Sequence, residues 1–121
     1  MTNSSVSAIK RAQKQSVFLR EISKLFMQIA MDDPKLQNLT VSRVELSPDK
    51  SLCKVYFYTS QGKEHLDELL GILKQYKPAV RKALASTIQS RYVPDLVFEF
   101  DSHFEKQMRI EKLLDTVKTE D

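Results

Sequence analysis

Residues 64–90 read EHLDELLGILKQYKPAVRKALASTIQS. Leu66, Leu69, Leu70 and Leu73 fall at i, i+3, i+4 and i+7, the spacing of one buried helix face. Each leucine taken out of water contributes roughly 1.5–3 kcal/mol, so this face demands a partner layer. Pro78 then interrupts the pattern. A proline inside a helix removes a backbone donor and clashes with the preceding turn, but it suits the first turn of a new helix. Val80, Leu84 and Ile88, with Ala83 beside them, resume the helical spacing to about Ser90. The stretch therefore predicts helix, break at Tyr76-Lys77-Pro78, helix.

The flanks supply the rest. Phe18, Ile22, Leu25 and Ile29, widened by Phe26 and Ala30, predict a first helix over roughly residues 7–31, with Ser7 as its cap. Asp32-Asp33-Pro34 ends it, because the residue before a proline is pushed out of the helical region. Leu39 to Leu46 reads as a strand whose alternation slips, so a bulge or a strong twist is expected near Ser42-Arg43. Ser47-Pro48-Asp49-Lys50-Ser51 is turn chemistry. Leu52 to Thr59 alternates cleanly, Cys53, Val55 and Phe57 on one side and Lys54, Tyr56 and Tyr58 on the other. After the broken helix, Leu96, Phe98 and Phe100 share one side of a third strand, with Asp95, Val97 and Glu99 opposite. Ser102-His103-Phe104-Glu105 has the form of a capping box. A last helix follows, with Phe104, Met108, Ile110, Leu113, Leu114 and Val117 as its apolar face.

The order is α-β-β-α-α-β-α. A short turn makes the first two strands an antiparallel hairpin, and a two-helix crossover lets the third lie parallel to a neighbour. The fold class is α+β, a small mixed sheet covered on one face by helices. At 121 residues, one domain spanning 1–121 is expected, with a folded core of about 7–117 and a short frayed tail from Lys118 to Asp121. Charged residues make up 29% of the chain and hydrophobic residues 41%. That balance is in keeping with a soluble protein. No apolar run approaches the ~20 residues that span a bilayer. Residues 1–7 are polar, unlike a secretory leader, and the single Cys53 excludes an internal disulfide. A cytoplasmic monomer is the expectation.

Catalysis requires convergent groups, and the sequence offers none. His65 and His103 sit in unrelated segments without metal-ligand spacing. Cys53 shares a strand side with Val55 and Phe57, where a small buried hydrophobe belongs. Gly62 and Gly71 are the only glycines, too few for a phosphate loop or a dinucleotide fingerprint. No enzyme, cofactor, metal or small-molecule substrate is expected, and no membrane partner.

Charge is more telling. The net charge is +3. No acid precedes Glu21, while Lys10, Arg11, Lys14 and Arg20 do. None lies between Glu68 and Asp95, while Lys74, Lys77, Arg81, Lys82 and Arg91 do. Residues 93–121 carry the excess of acid. Basic residues that merely solvate helix faces would leave such windows, and so would a surface for a polyanion. Two consecutive helices after a hairpin match the layout of a KH domain. KH domains clamp RNA backbone with a Gly-x-x-Gly loop between those helices. Here the site reads Gln75-Tyr76-Lys77-Pro78-Ala79, without glycine, so an ordinary single-strand clamp is not expected. The cations around the break remain, and Pro78 opens a helix whose dipole favours a nearby phosphate. Ala85, Ser86, Thr87 and Ser90 are small enough for an RNA backbone to approach. Lys10, Arg11, Lys14, Lys74, Lys77, Arg81, Lys82 and Arg91 are the candidate RNA-binding residues.

An ordered set of short marks runs through the chain: Asp33-Pro34-x-Leu36; Val44-Glu45-Leu46-Ser47-Pro48-Asp49 leading to Lys54-Val55-Tyr56; Arg81-x-x-Leu84-Ala85; Arg91-Tyr92-Val93-Pro94-Asp95-Leu96-x-Phe98 with Asp101; and Arg109-Ile110-x-x-Leu113-Leu114. Over about residues 7–117 the chain resembles the ribosome-binding factor A family. The resemblance implies a type II KH-like domain with a helix–kink–helix in place of the GxxG loop. The family's kink carries Ala-x-Gly, where this chain has Tyr76-Lys77-Pro78. It further implies a non-enzymatic assembly factor that binds the free or immature small ribosomal subunit and its 16S-type rRNA, assists processing of the RNA's ends, and supports growth in the cold. The alternative from a different class is a protein-interaction adaptor. It would dock through the C-terminal helix and the strand face of Tyr56 and Tyr58, without touching RNA.

Overall fold

The computed structural model describes residues 2–88 and 92–120, with side chains over 6–88 and 92–117. Its elements are α1 (Thr2–Asp32), a 3-10 turn (Pro34–Leu36), β1 (Thr40–Leu46), β2 (Leu52–Tyr58), α2 (Lys63–Gln75), α3 (Lys77–Ile88), β3 (Asp95–Phe100) and α4 (Ser102–Glu120). The sheet order is β1-β2-β3, with β1 antiparallel and β3 parallel to β2. This is the expected α+β, type II KH-like arrangement.

The core lies between the sheet and one layer of helices. Phe18, Ile22 and Phe26 of α1, Leu66, Leu69 and Leu73 of α2, and Val80 and Leu84 of α3 form one buried cluster with Cys53, Val55, Phe57, Leu96 and Phe98. Phe26, Phe57 and Phe98 meet edge to face, with ring centroids 5.1–5.8 Å apart. Such pairs contribute about 0.5–1.5 kcal/mol beyond the area they bury.

The break between α2 and α3 narrows to one residue, Tyr76. It keeps right-handed helical dihedrals, and its N–H turns back to the carbonyls of Leu73 and Lys74. Lys77 opens α3 and Pro78 sits in its first turn, where the missing N–H leaves no gap in the ladder. The expected bulge is present. The register shifts between Val41 and Arg43, which leaves Ser42 as the extra residue.

Two expectations change. Helix α1 begins at Thr2, not near residue 7, so Ser7 lies inside it. Asp101, not Ser102, caps α4, its Oδ1 accepting from the Phe104 N–H at 3.0 Å. A carboxylate already anchored by β1 outcompetes the hydroxyl beside it. Helix α4 extends to Glu120.

Asp101 is also a buried charge, 2% exposed. Its Oδ2 lies 3.0 Å from Arg43 Nε and accepts from Ser42 Oγ at 2.7 Å. Burial alone would raise its pKa. The hydrogen bonds from Ser42, the Phe104 N–H and Arg43, with the arginine's charge, outweigh burial and hold it below the ordinary carboxylate value. The Arg43 guanidinium also stands 3.8 Å over the Tyr56 ring.

Candidate nucleic-acid interface

The basic residues divide among three places. The N-terminal half of α1 has no acid before Glu21, and it presents Lys10, exposed, with Arg11 and Lys14, half-buried. Lys14 faces a cavity of about 500 Å³ between α1, the β1–β2 turn and the lead-in to β3. Arg81 of α3 lines the same cavity, so the fold brings together two cations that are far apart in the sequence. Arg81 Nη2 donates to the Val93 carbonyl at 3.2 Å, which fixes the guanidinium against the lead-in strand. Phe18, Leu46 and Pro94 form an apolar floor.

A third cation, Lys50, reaches this cavity from the turn. It adopts a φ of 62°. This left-handed conformation is uncommon for lysine. Asp49 holds the turn in that shape. Its Oδ1 accepts from Ser47 Oγ at 2.7 Å, Ser51 Oγ at 2.8 Å and the Ser51 N–H at 3.1 Å. The hydrogen bonds from Ser47 and Ser51 lower the Asp49 pKa to about 2, so the carboxylate is ionised. Sequence reasoning located the turn but missed Lys50 as a site residue. Nothing local to Pro48-Asp49-Lys50-Ser51 signals its distance from Lys14.

Arg11 lies elsewhere. With Lys54 and Glu45 it flanks a second groove, on the β1–β2 side of α1. Gln15 seals the end of that groove, its Oε1 accepting from the Leu46 N–H at 2.8 Å.

The third place is the helix break. Lys77 is half-buried, with Nζ 5.4 Å from the centre of the Phe98 ring. Tyr76 beside it donates to Asp33 Oδ2 at 3.3 Å. Burial and the Asp33 charge raise the tyrosine's pKa. Tyr76 thus joins the helix break to the residue that follows α1, while Lys14 lies about 27 Å back along that helix from Asp32 at roughly 1.5 Å per residue. Lys74 and Lys82 are exposed, as are Ala85, Ser86 and Thr87 on α3. Arg91, named with this set, falls outside the described residues, as does Ser90. The structure thus joins Lys14, Arg81 and the unanticipated Lys50, and it sets Arg11 and Lys77 apart from them.

The tyrosines of the adaptor reading are not an open face. Tyr56 is buried under Arg43 and donates to Glu45 Oε2 at 3.3 Å. Its pKa is raised, first by burial and then by Glu45. Tyr58 packs on Phe100 and Phe104. Helix α4 does carry exposed apolar residues. Ile110, Leu113, Leu114 and Val117 are each more than half exposed, so its apolar face is not the buried stripe that the spacing suggests. Cys53 is fully buried, and burial pushes its thiol pKa up to about 11. Among the described residues no cluster of three or more potential metal ligands occurs, and no helix is long and apolar enough to cross a membrane.

Comparison with known proteins agrees with this architecture. The family model described as ribosome-binding factor A matches residues 10–114. A ribosome-binding factor A from Coprothermobacter proteolyticus is 33% identical over 113 residues, covering 93% of this chain and 81% of that one. The crystal structure of ribosome-binding factor A from Thermus thermophilus superposes with a TM-score of 0.64 at 29% identity, over 74% of this chain and 93% of the other. A Thermus thermophilus homology model, fitted into a cryo-EM map of a 30S complex of that factor, superposes with a TM-score of 0.51 at 32% identity, over 73% and 87%.

Proposed function

The chain belongs to the ribosome-binding factor A family, and we propose that it binds the free or immature small ribosomal subunit through that subunit's 16S-type RNA. The observation that carries this reading is the relative fitted into the map of a 30S complex. The convergence of Lys14, Lys50 and Arg81 on one cavity supports RNA as the surface contacted. Lys74, Lys77 and Lys82 extend the contact along the broken helix. Lys10 and Arg11 extend it along α1, and Arg91 completes the set named from the sequence.

The action is occupancy and not catalysis. Cations neutralise phosphates of an unfinished site, hold one RNA arrangement while the ends are processed, and release it on maturation. The work belongs to the cytoplasm, where subunits are assembled, and it becomes limiting for growth in the cold. Neither a cofactor nor a small-molecule substrate enters the mechanism.

Sedimentation of cell extract through a density gradient tests the proposal. Co-migration with free small subunits, abolished by nuclease or by high salt, is expected. Migration with a protein complex insensitive to both would replace the proposal with the adaptor reading, for which the exposed apolar residues of α4 are the specific support.

A further inference from the structure

We propose that the cavity between α1, α3 and the β1–β2 turn takes one unpaired nucleotide of an RNA strand, its base on the floor of Phe18, Leu46 and Pro94 and its phosphate among Lys14, Lys50 and Arg81. The inference rests on the RNA-binding reading above and names what one part of that surface recognises.

Volume, chemistry and placement agree. The cavity measures about 500 Å³. Sites that take small organic ligands span about 300–1,000 Å³. Its floor is apolar but Phe18 and Leu46 lie almost wholly beneath the surface, so the half-buried Val93 is the apolar side chain that a base would meet first. Tyr92 stands at the rim, 76% exposed. The three cations come from three separate parts of the chain and line the one cavity, which offers a strand's phosphate several donors. Sequence-selective RNA recognition acts mostly on unpaired bases of this kind. The left-handed Lys50 is the costly part of this arrangement, and the hydrogen bonds of Asp49 with Ser47 and Ser51 keep it in place.

The walls also carry the carboxylates of Asp49 and Asp95. An ionised carboxylate only accepts hydrogen bonds. Ser47 and Ser51 both donate to Asp49 Oδ1, which leaves Oδ2 for a donor on the ligand. The cavity therefore favours bases with an exocyclic amino group, such as cytosine, over uracil. The same carboxylates oppose a free phosphate without a base.

Methyl NMR of the full chain tests this, with CMP, UMP, inorganic phosphate and a single strand of three cytidines as probes. The Leu46 and Val93 methyl signals are expected to shift and saturate with CMP, about fivefold more tightly than with UMP. The three-cytidine strand is expected to bind about tenfold more tightly than CMP, because further phosphates meet further cations. Val93→Trp fills the cavity, and Lys14→Ala/Lys50→Ala strips its rim without adding bulk. Each should weaken CMP binding about fivefold, read at Leu46 in a variant that keeps the wild-type Tm. Absence of a saturable shift with every nucleotide overturns the proposal, as does inorganic phosphate matching CMP. Equal binding of UMP and CMP overturns the base preference, and a strand no tighter than CMP overturns RNA as the source. Small-subunit co-sedimentation of the same proteins separates the two readings. Subunit binding with a silent cavity removes only the nucleotide site. A responsive cavity without subunit binding removes only the ribosomal reading.

Discussion

Arg43 Nε stands 3.0 Å from Asp101 Oδ2, and this contact ties β1 to the start of α4 across the intervening β2. The extra residue of the bulge, Ser42, donates to the same oxygen, while Asp101 Oδ1 caps α4. One buried carboxylate thus serves a bulge, a cation and a helix end. Asp101→Ala removes the helix cap and the acceptor of Ser42 and should cost about 2 kcal/mol in denaturant unfolding, because Arg43 is 44% exposed and can turn to water. Asp101→Asn keeps the cap and should cost less. A loss within about 0.5 kcal/mol for Asp101→Ala would contradict this role.

The same carboxylate sets an acid limb. Its folded pKa is lowered. Its contribution is therefore complete above the unfolded value of about 4 and is lost as pH falls through the folded value. The stability gap between wild type and Asp101→Asn should be constant near neutrality and shrink below about pH 4. A gap independent of pH down to acid unfolding would contradict the assignment.

Cys53 has no exposed surface, and burial lifts its thiol pKa to about 11. A thiol-specific reagent at about pH 8 should react only as fast as the protein opens, because thiolate and access are both lacking. The labelling rate should rise in proportion to the unfolded fraction as urea is added. Immediate stoichiometric labelling of the native protein would contradict the packing.

Helix α4 contacts the body through Phe104 against Tyr58, while Ile110, Leu113, Leu114 and Val117 face outward. Every residue from 110 to 117 is exposed, so truncation after Arg109 should lower Tm by less than about 3 °C. A fall above about 10 °C would mean that these side chains belong to the core.

Pro78→Ala should leave the far-UV helix signal unchanged and cost below about 1 kcal/mol. The break is set by Tyr76 turning its N–H back to α2, and the proline is only compatible with it. A gain of helix signal, from α2 and α3 running together, would show that the proline enforces the break.

Much of the fold was legible because periodicity reports burial. Leu66, Leu69 and Leu73 of α2, the stripe of α1 and the alternation of β2 and β3 all face the core that their spacing indicated. The slipped pattern around Ser42 located the bulge before its register was known. Other features depend on distance in space. Nothing in the sequence beside Asp101 sets it above Ser102 as a cap; β1, two strands away, anchors it as the cap of α4. The stripe on α4 has helical spacing, but spacing cannot say whether a partner layer exists. The acid-free windows identified the cations as a class. They could not show that Lys14, Arg81 and Lys50 would line one cavity, or that Lys77 would reach the Phe98 ring.

Binding to purified small subunits, measured against salt for wild type and Lys14→Ala/Arg81→Ala, tests the central claim most directly. Each phosphate contact adds a log–log slope of about −0.7 to −0.9, so losing two contacts should flatten the slope by about 1.5 and weaken binding. Unchanged affinity and unchanged slope in a folded double variant would contradict the claim that this basic cavity is the RNA-binding surface.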